Sequence, residues 1–345
     1  MPTHAPADAR LALLDTWLHR QPAALGLAPS SVRPASSDAS FRRYFRVDAA
    51  GEPGGSLIVM DAPPPMEDCA PFVHAAQVFA ESGVTIPRIV SADLEHGLLL
   101  LEDFGSTTYL DRLVPDDAAR LYGDALRALI TLQRGTRAGS FPPYDRARLV
   151  AEMELFPIWY IERHVGVTLT DAERQSLDTV FELLARSAMA QTQVHVHRDY
   201  HSRNLMVLED GRNPGVLDFQ DALIGPISYD LVSLLRDAYI RWEEEQVLDW
   251  AIRYWQLARD AALPVATDFA EFYRDFEWMG LQRHLKVLGI FARLSHRDGK
   301  DRYLADLPLV MRYVREVTSR YIALTPLRRL LDRLEGVRPA VGYTF

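Results

Sequence analysis

The stretch His195–Asp230 constrains this chain more than any other. It reads HVHRDYHSRNLMVLEDGRNPGVLDFQDALIGPISYD. Two short apolar runs, Leu205–Leu208 and Val216–Leu217, flank the polar, glycine- and proline-containing segment Glu209–Gly215, which predicts a hairpin. A hairpin there returns the chain, so Asn204 before it and Asp218 after it come back to the same end. Asp199 stands five residues before Asn204. A carboxylate can accept or orient the proton of a hydroxyl, and carboxylate and amide oxygens hold a hard cation such as Mg²⁺. Asp199 fits the first task; Asn204 and Asp218 fit the second. Together these groups suit phosphoryl transfer from ATP, a reaction run almost entirely by positioning and charge neutralisation.

A chain of 345 residues is long enough for two units, each with its own core. Its formal charge of −9 argues against a nucleic-acid surface as the main purpose, because phosphate backbones demand basic patches. Cys69 is the only cysteine, so no intramolecular disulfide can form and a reducing compartment suits the chain. No segment approaches the roughly 20 apolar residues of a membrane span. The start, MPTHAPADAR, leads into a polar-faced helix rather than the apolar core of a signal peptide. The expectation is a cytoplasmic protein with neither a nucleic-acid nor a membrane partner.

Ala7–Arg20 carries leucines and Trp17 at helical spacing and opens the chain as an amphipathic helix. Val32–Val47 reads as a polar, small-residue loop between two strand-like segments, the second alternating Arg43, Phe45 and Val47 against Arg42, Tyr44 and Arg46. Ser37 and Ser40 in that loop can expose backbone N–H groups to phosphate as a nest does, although the loop has no glycine. Ser56–Met60 is a buried strand, Ala70–Glu81 a helix, and Gly97–Gly105 a strand running into a charged turn. Helices are expected over Asp116–Gln133, Asp145–His164, Asp171–Met189, Ser228–Leu263, Asp268–Ser295 and Leu304–Gly336, with Phe156–Tyr160 interrupting the second. Trp278, Gln282, Leu285 and Gly289 share one helix face with Arg283 beside it, which reads either as an acceptor-binding cluster or as a core stripe. His195, His197 and His201 invite a zinc site, but no partner set completes tetrahedral spacing. His296–Asp298 repeats the H-R-D string with Tyr303, not Asn, five residues beyond, and reads as a loop.

The order H-x-D-x-x-x-x-N, hairpin, D-F-x resembles the kinase signature set. His201 just after Asp199, and Asp218-Phe219-Gln220-Asp221 in place of D-F-G, point away from the protein kinases and resemble the aminoglycoside phosphotransferase and choline kinase branch. The joint pattern SDASFRRYFRV, VMDAPPP, LLLLEDFG, VHRDYHSRNLM and LDFQDALIGPISYDLVSLLRDAY looks like one subgroup of it, bacterial anomeric kinases of N-acetylmuramate and N-acetylglucosamine. The resemblance implies an α+β, bilobal protein-kinase-like fold. Residues 1–104 would form a small β-rich nucleotide-binding lobe with the hinge at its end, and residues 105–345 a larger helical lobe with the catalytic loop and acceptor site. It also implies ATP and Mg²⁺ as cofactors and transfer to the C1 hydroxyl of an amino sugar in peptidoglycan recycling. Backbone groups at Glu102, Asp103 and Phe104 would read the adenine edge, and the loop with Ser37 and Ser40 would cover the phosphates.

The chain departs from the kinase pattern in its first lobe. Met60 stands where a strand Lys would meet the phosphates, and Val73 or His74 where a helix Glu would pair with it, with Gln77 and Glu81 near enough to leave that alignment open. Another cation must then neutralise the phosphates, and Arg43 is the candidate. Trp278, Gln282 and Arg283 are the acceptor candidates, Arg283 suiting the lactyl carboxylate of muramate. Asp230, in the G-x-x-x-x-D-L element, would tie a helix start to the catalytic loop. Two rivals stay open: a kinase of aminoglycoside or choline type, and a nucleotide-binding pseudokinase.

Overall fold

The structure, a computed structural model, describes residues 7–37 and 41–336; Ser40 lies outside them. The chain divides into two compact units, Met1–Thr108 with Leu205–Asp221, and Tyr109–Asn204 with Ala222–Phe345. The boundary therefore differs from the expected one: it falls after Thr108, and the segment bearing Asp218 joins the first unit rather than the second. A boundary drawn along the sequence misses this, because the hairpin finds its packing partners some 100 residues upstream, its Val216 N–H bonding to the Thr85 carbonyl and its Val207 N–H to that of Thr107.

The first unit is built on an antiparallel sheet of order β1-β2-β3-β5-β4. Its strands are β1 (Leu27–Ser37), β2 (Arg43–Ala49), β3 (Ser56–Asp61), β4 (Ile89–Asp93) and β5 (Leu98–Glu102). Helix α1 (Ala7–His19) lays Leu14, Trp17 and Leu18 against Val47, Ala49, Leu57, Val59, Leu98 and Leu100. Side chains alternate along a strand, so this contact labels the two faces. Phe45, Val47, Leu57 and Val59 lie on the α1 face; Tyr44, Arg46, Ile58 and Met60 lie on the other. Leu98–Leu101 breaks the alternation with four leucines at most 3% exposed, the pattern of a strand covered on both faces. Helix α2 (Ala70–Ser82) follows β3, and Leu205–Met206 pairs with Gly215–Val216 as the predicted hairpin.

The second unit contains α3 (Tyr109–Arg112), α4 (Pro115–Arg134), α5 (Arg146–Met153), α6 (Asp171–Ala190), α7 (Tyr229–Leu235), α8 (Glu244–Asp260), α9 (Phe269–Asp298), α10 (Leu307–Arg320) and α11 (Thr325–Leu334). Gln193–Val196 pairs antiparallel with Leu223–Pro226. The expected helix over 145–164 is α5 followed by a π-helical stretch, Phe156–Val165, with Pro157 near its start lacking the N–H that an α-helix would use. The expected helix over 228–263 breaks between α7 and α8, where buried Asp237 accepts the N–H and hydroxyl of Ser202 and the N–H of Tyr239. His296–Asp298 is the last turn of α9, not a loop. Gly289, inside α9, lies so close to the preceding connection that a Cβ would stand 2.3 Å from the Leu155 carbonyl carbon. Among the described residues no helix is long and apolar enough to cross a membrane.

Candidate active site

In the second unit the chain leaves strand Gln193–Val196 and turns through His197–Asn204. Asp230, wholly buried at the start of α7, fixes the turn: its Oδ2 accepts the His197 N–H at 2.6 Å and its Oδ1 the Arg198 N–H at 3.0 Å. The His197 ring accepts the Asp199 N–H at its Nδ1, 3.2 Å away. The Asn204 side-chain amide donates to the Asp199 carbonyl at 3.0 Å. Arg198 has φ +79°, left-handed backbone that non-glycine residues rarely adopt and that the two Asp230 bonds hold in place. His195 and His201 are engaged elsewhere, His195 with the Ser140 hydroxyl at 2.7 Å and His201 edge-on against Tyr239. The three histidines serve loop geometry.

A buried polar network lies behind Asp199. Glu152 meets the Arg198 guanidinium and, at 3.3 Å, the Lys286 ammonium, and it accepts the Tyr144 hydroxyl. Lys286 and Arg283 each donate to the Tyr229 hydroxyl at 3.1 Å, and Arg283 donates to the Arg198 carbonyl at 2.7 Å. Arg283 also lies 3.6 Å from the Asp199 carboxylate, whose side chain is 39% exposed. Burial opposes the Asp199 charge, but Arg283, Lys286, His201 and Arg198 overcome it and hold the carboxyl far below its ordinary range. Asp199 is therefore an ionised carboxylate with one side braced by cations. Burial pushes the Asp230 carboxyl up to about 7, against its two backbone donors and Arg283.

Of the three acceptor candidates, only Arg283 reaches Asp199, and it does so as a brace of the loop. Trp278 packs edge-on against Tyr321, and fully buried Gln282 donates to the Leu149 carbonyl at 3.5 Å. The helical period puts Gln282 and Gly289 on the stripe of α9 facing α5 and the π-helical stretch, so that face is core. Glu152 and Lys286 were not singled out in the sequence; neither belongs to a local motif, and only the fold brings them to Arg198.

In the first unit, Asp218 has φ +63° and its Oδ1 accepts the Gln220 side-chain amide at 2.8 Å. Phe219 inserts its ring beside Phe72 and Phe79 of α2, with centroids 4.7 and 5.8 Å away. Gln220, at the place of the protein-kinase glycine, thus sets the carboxylate. The hinge candidates have committed side chains: Glu102 pairs with Arg212 at 2.9 Å, Asp103 with Arg46 and Ser56, and Phe104 is buried. The Glu102 N–H is donated to the Arg88 carbonyl. Ser37 ends β1 in register with Arg43. Arg43 itself is bound to buried Asp61, which also takes Arg10 of α1. It lies on the α1 face of the sheet, opposite Met60, and so does not fill the place expected of it.

The phosphotransferase enzyme family matches residues 31–265, more than half of the chain. The chain belongs to the phosphotransferase enzyme family. Among the relatives that bear the name N-acetylmuramate/N-acetylglucosamine kinase are two from Pseudomonas. One, from Pseudomonas putida, is 47% identical over 97% of this chain and 99% of its own length; the other, from Pseudomonas aeruginosa, is 49% identical over 95% and 97%. Among solved structures, choline kinase from Cryptosporidium parvum superposes with a TM-score of 0.61 at 14% identity, covering 94% of this chain and 99% of that one. The phosphotransferase is an ATP-dependent kinase, with the mixed α/β, protein-kinase-like fold of its neighbours.

In this phosphotransferase, Asp230 is a positioning residue, and Asp230→Asn tests it. An amide has one oxygen, so one of the two backbone donors loses its acceptor and faces an N–H group instead, at a cost of about 1–3 kcal/mol. The expected result is kcat lower by roughly 10- to 100-fold, since small misplacements of a reacting group are that costly. The pH dependence has a definite sign. The folded Asp230 carboxyl binds its proton at about 7 and the unfolded one only near 4, so its stabilising contribution is full below about 4 and lost as pH rises through 7. Wild type should therefore gain stability over the variant as pH falls from 7 to 4 in denaturant titrations. A gap that stays constant across that range removes the assignment.

Proposed function

We propose that this kinase phosphorylates the C1 hydroxyl of N-acetylmuramate and N-acetylglucosamine, with Asp199 directing the acceptor and Asn204 and Asp218 holding Mg²⁺. The observation that carries the acceptor is the name borne by relatives at 47% and 49% identity along nearly the whole chain. The chemistry draws its support from Asp199, which is ionised, accessible and rigidly braced.

Asp199 accepts the hydrogen bond of the acceptor hydroxyl and aims its oxygen in line with the γ-phosphorus. So acidic a carboxyl does not strip the resting alcohol. The proton passes to an Asp199 oxygen as the new O–P bond forms and the bond to ADP breaks. Asn204 and Asp218 bring the hard oxygen donors that Mg²⁺ requires. The nitrogen of Asn204 is engaged by the Asp199 carbonyl and the Asp218 carboxylate is set by Gln220. Bound there, the ion supplies charge neutralisation on the phosphates. The Asp103–Phe104 backbone reads adenine, and the loop carrying Ser37 and Ser40 covers the phosphates. Trp278 and Gln282 take no part. A single cysteine and the need for ATP support action in the cytoplasm.

Incubation with ATP, Mg²⁺ and each sugar should consume the reducing end and give an acid-labile, alkali-stable phosphate, with one ADP per sugar. Turnover of an aminoglycoside or choline, with none of either sugar, rejects the acceptor assignment.

A further inference from the structure

With Met60 fully buried and apolar, β3 offers no cation to the nucleotide phosphates. Tyr44 pairs directly with Met60 across β2 and β3, so strand alternation carries the Met60 face through Tyr44 to Arg46, and Arg42 stands immediately before β2. Arg46 is committed, with Asp103 taking two of its nitrogens and the Gly105 carbonyl a third contact. Arg43 is on the opposite face with Asp61. Arg42 is clamped differently. Glu67, in the connection between β3 and α2, approaches Arg42 Nε at 3.2 Å with Oε2 and accepts the Phe41 N–H at 3.0 Å with Oε1. The two side chains are 11% and 12% exposed.

We propose that Arg42, positioned by Glu67, is the cation that binds the nucleotide phosphates in place of a strand lysine. The Arg42–Glu67 pair does from the start of β2 and the β3–α2 connection what a lysine of β3 and a glutamate of α2 would do. Burial works against the Arg42 charge, but Tyr44, Glu67, Asp218 and Asp221 outweigh it and raise its pKa. The guanidinium thus shares the electrostatic surroundings of Asp218. A fork of donors on a planar cation suits phosphate oxygens, and the Glu67 carboxylate beside it holds the guanidinium by charge. The assignment rests on the ATP-dependent reading above.

The test is calorimetric binding of ADP and of adenosine to the full chain. Arg42→Met should weaken ADP by roughly 10- to 100-fold, the worth of hydrogen bonds to a charged group, and leave adenosine within about twofold. Arg42→Lys should recover most of the loss, and Glu67→Gln should weaken ADP by less than Arg42→Met does. Arg43→Met should lower Tm and leave ADP affinity within about twofold. ADP affinity unchanged in a folded Arg42→Met protein overturns the proposal, as does equal weakening of ADP and adenosine. If Arg42→Met does not fold, phenylglyoxal modification of wild type decides: ADP, but not adenosine, should shield Arg42, and absence of shielding overturns the proposal. Wild type that binds no ADP at all overturns the nucleotide reading itself, a different outcome from an insensitive Arg42 variant.

Discussion

Asp199→Asn should lower kcat by roughly 10²- to 10⁴-fold, the range for loss of a positioned proton acceptor. ADP affinity should stay within a few-fold, because no nucleotide contact is assigned to this side chain. The amide keeps the shape of the carboxylate but cannot take the hydroxyl proton as the O–P bond forms. It also leaves Arg283, Lys286 and Arg198 short of one negative charge, so some loss of stability accompanies the loss of rate. Since cations hold the folded carboxyl far below its ordinary range, wild-type kcat should show no acid limb from Asp199 above about pH 4. Any stabilising contribution of Asp199 is present above the unfolded value and lost as pH falls below it. A variant retaining more than a tenth of wild-type kcat, or a wild-type rate that falls with an apparent pKa near 6 traced to Asp199, removes the assigned role.

The largest expected loss of stability is at Glu152. Glu152→Ala should destabilise the fold by about 3–5 kcal/mol, because two cations, Arg198 and Lys286, then remain buried without their carboxylate. Tyr144 loses its acceptor as well. Activity should fall with stability, since the Arg198 backbone that Asp230 holds is braced through its guanidinium by Glu152. Burial raises the Glu152 pKa, but Lys286 and Arg198 together with Tyr144 more than offset this and lower it. Its contribution is therefore present above the unfolded glutamate value near 4 and lost as pH drops below it. Chemical denaturation at pH 7 and at low pH should show a wide gap between wild type and variant that narrows on acidification. A gap below 1 kcal/mol at pH 7 would show that Arg198 and Lys286 find other partners.

The His197–Asp221 segment was legible in the sequence because its bonding is local. Asp199, His197 and Asn204 bond within a few residues of one another, and the hairpin follows from two apolar runs and a turn. The Leu98–Leu101 run read correctly as a strand, and α6 begins at Asp171 as expected, with Thr170 and Glu173 capping it reciprocally. Arg42 and Arg43 illustrate what was harder. They are neighbours, and period-2 alternation puts Arg43 on the side of Phe45 and Val47. For Trp278 and Gln282 the shared helix face was visible, but its partner was not; the stripe packs on α5 and the π-helical stretch. Glu152 and Lys286 carry no local signature at all, being linked to Arg198 only by long-range packing.

The first unit is discontinuous in the chain, closing only when Leu205–Asp221 returns to it. This sets an order of events during synthesis. When Thr108 leaves the ribosome, Phe72 and Phe79 of α2 still lack the Phe219 ring that completes their cluster, and Thr85 and Thr107 lack the hairpin N–H groups that their carbonyls accept. The part of the chain made first cannot be the part finished first. A nascent chain halted between the two segments presents an open aromatic surface to chaperones or to other chains, and only translation through Asp221 closes it.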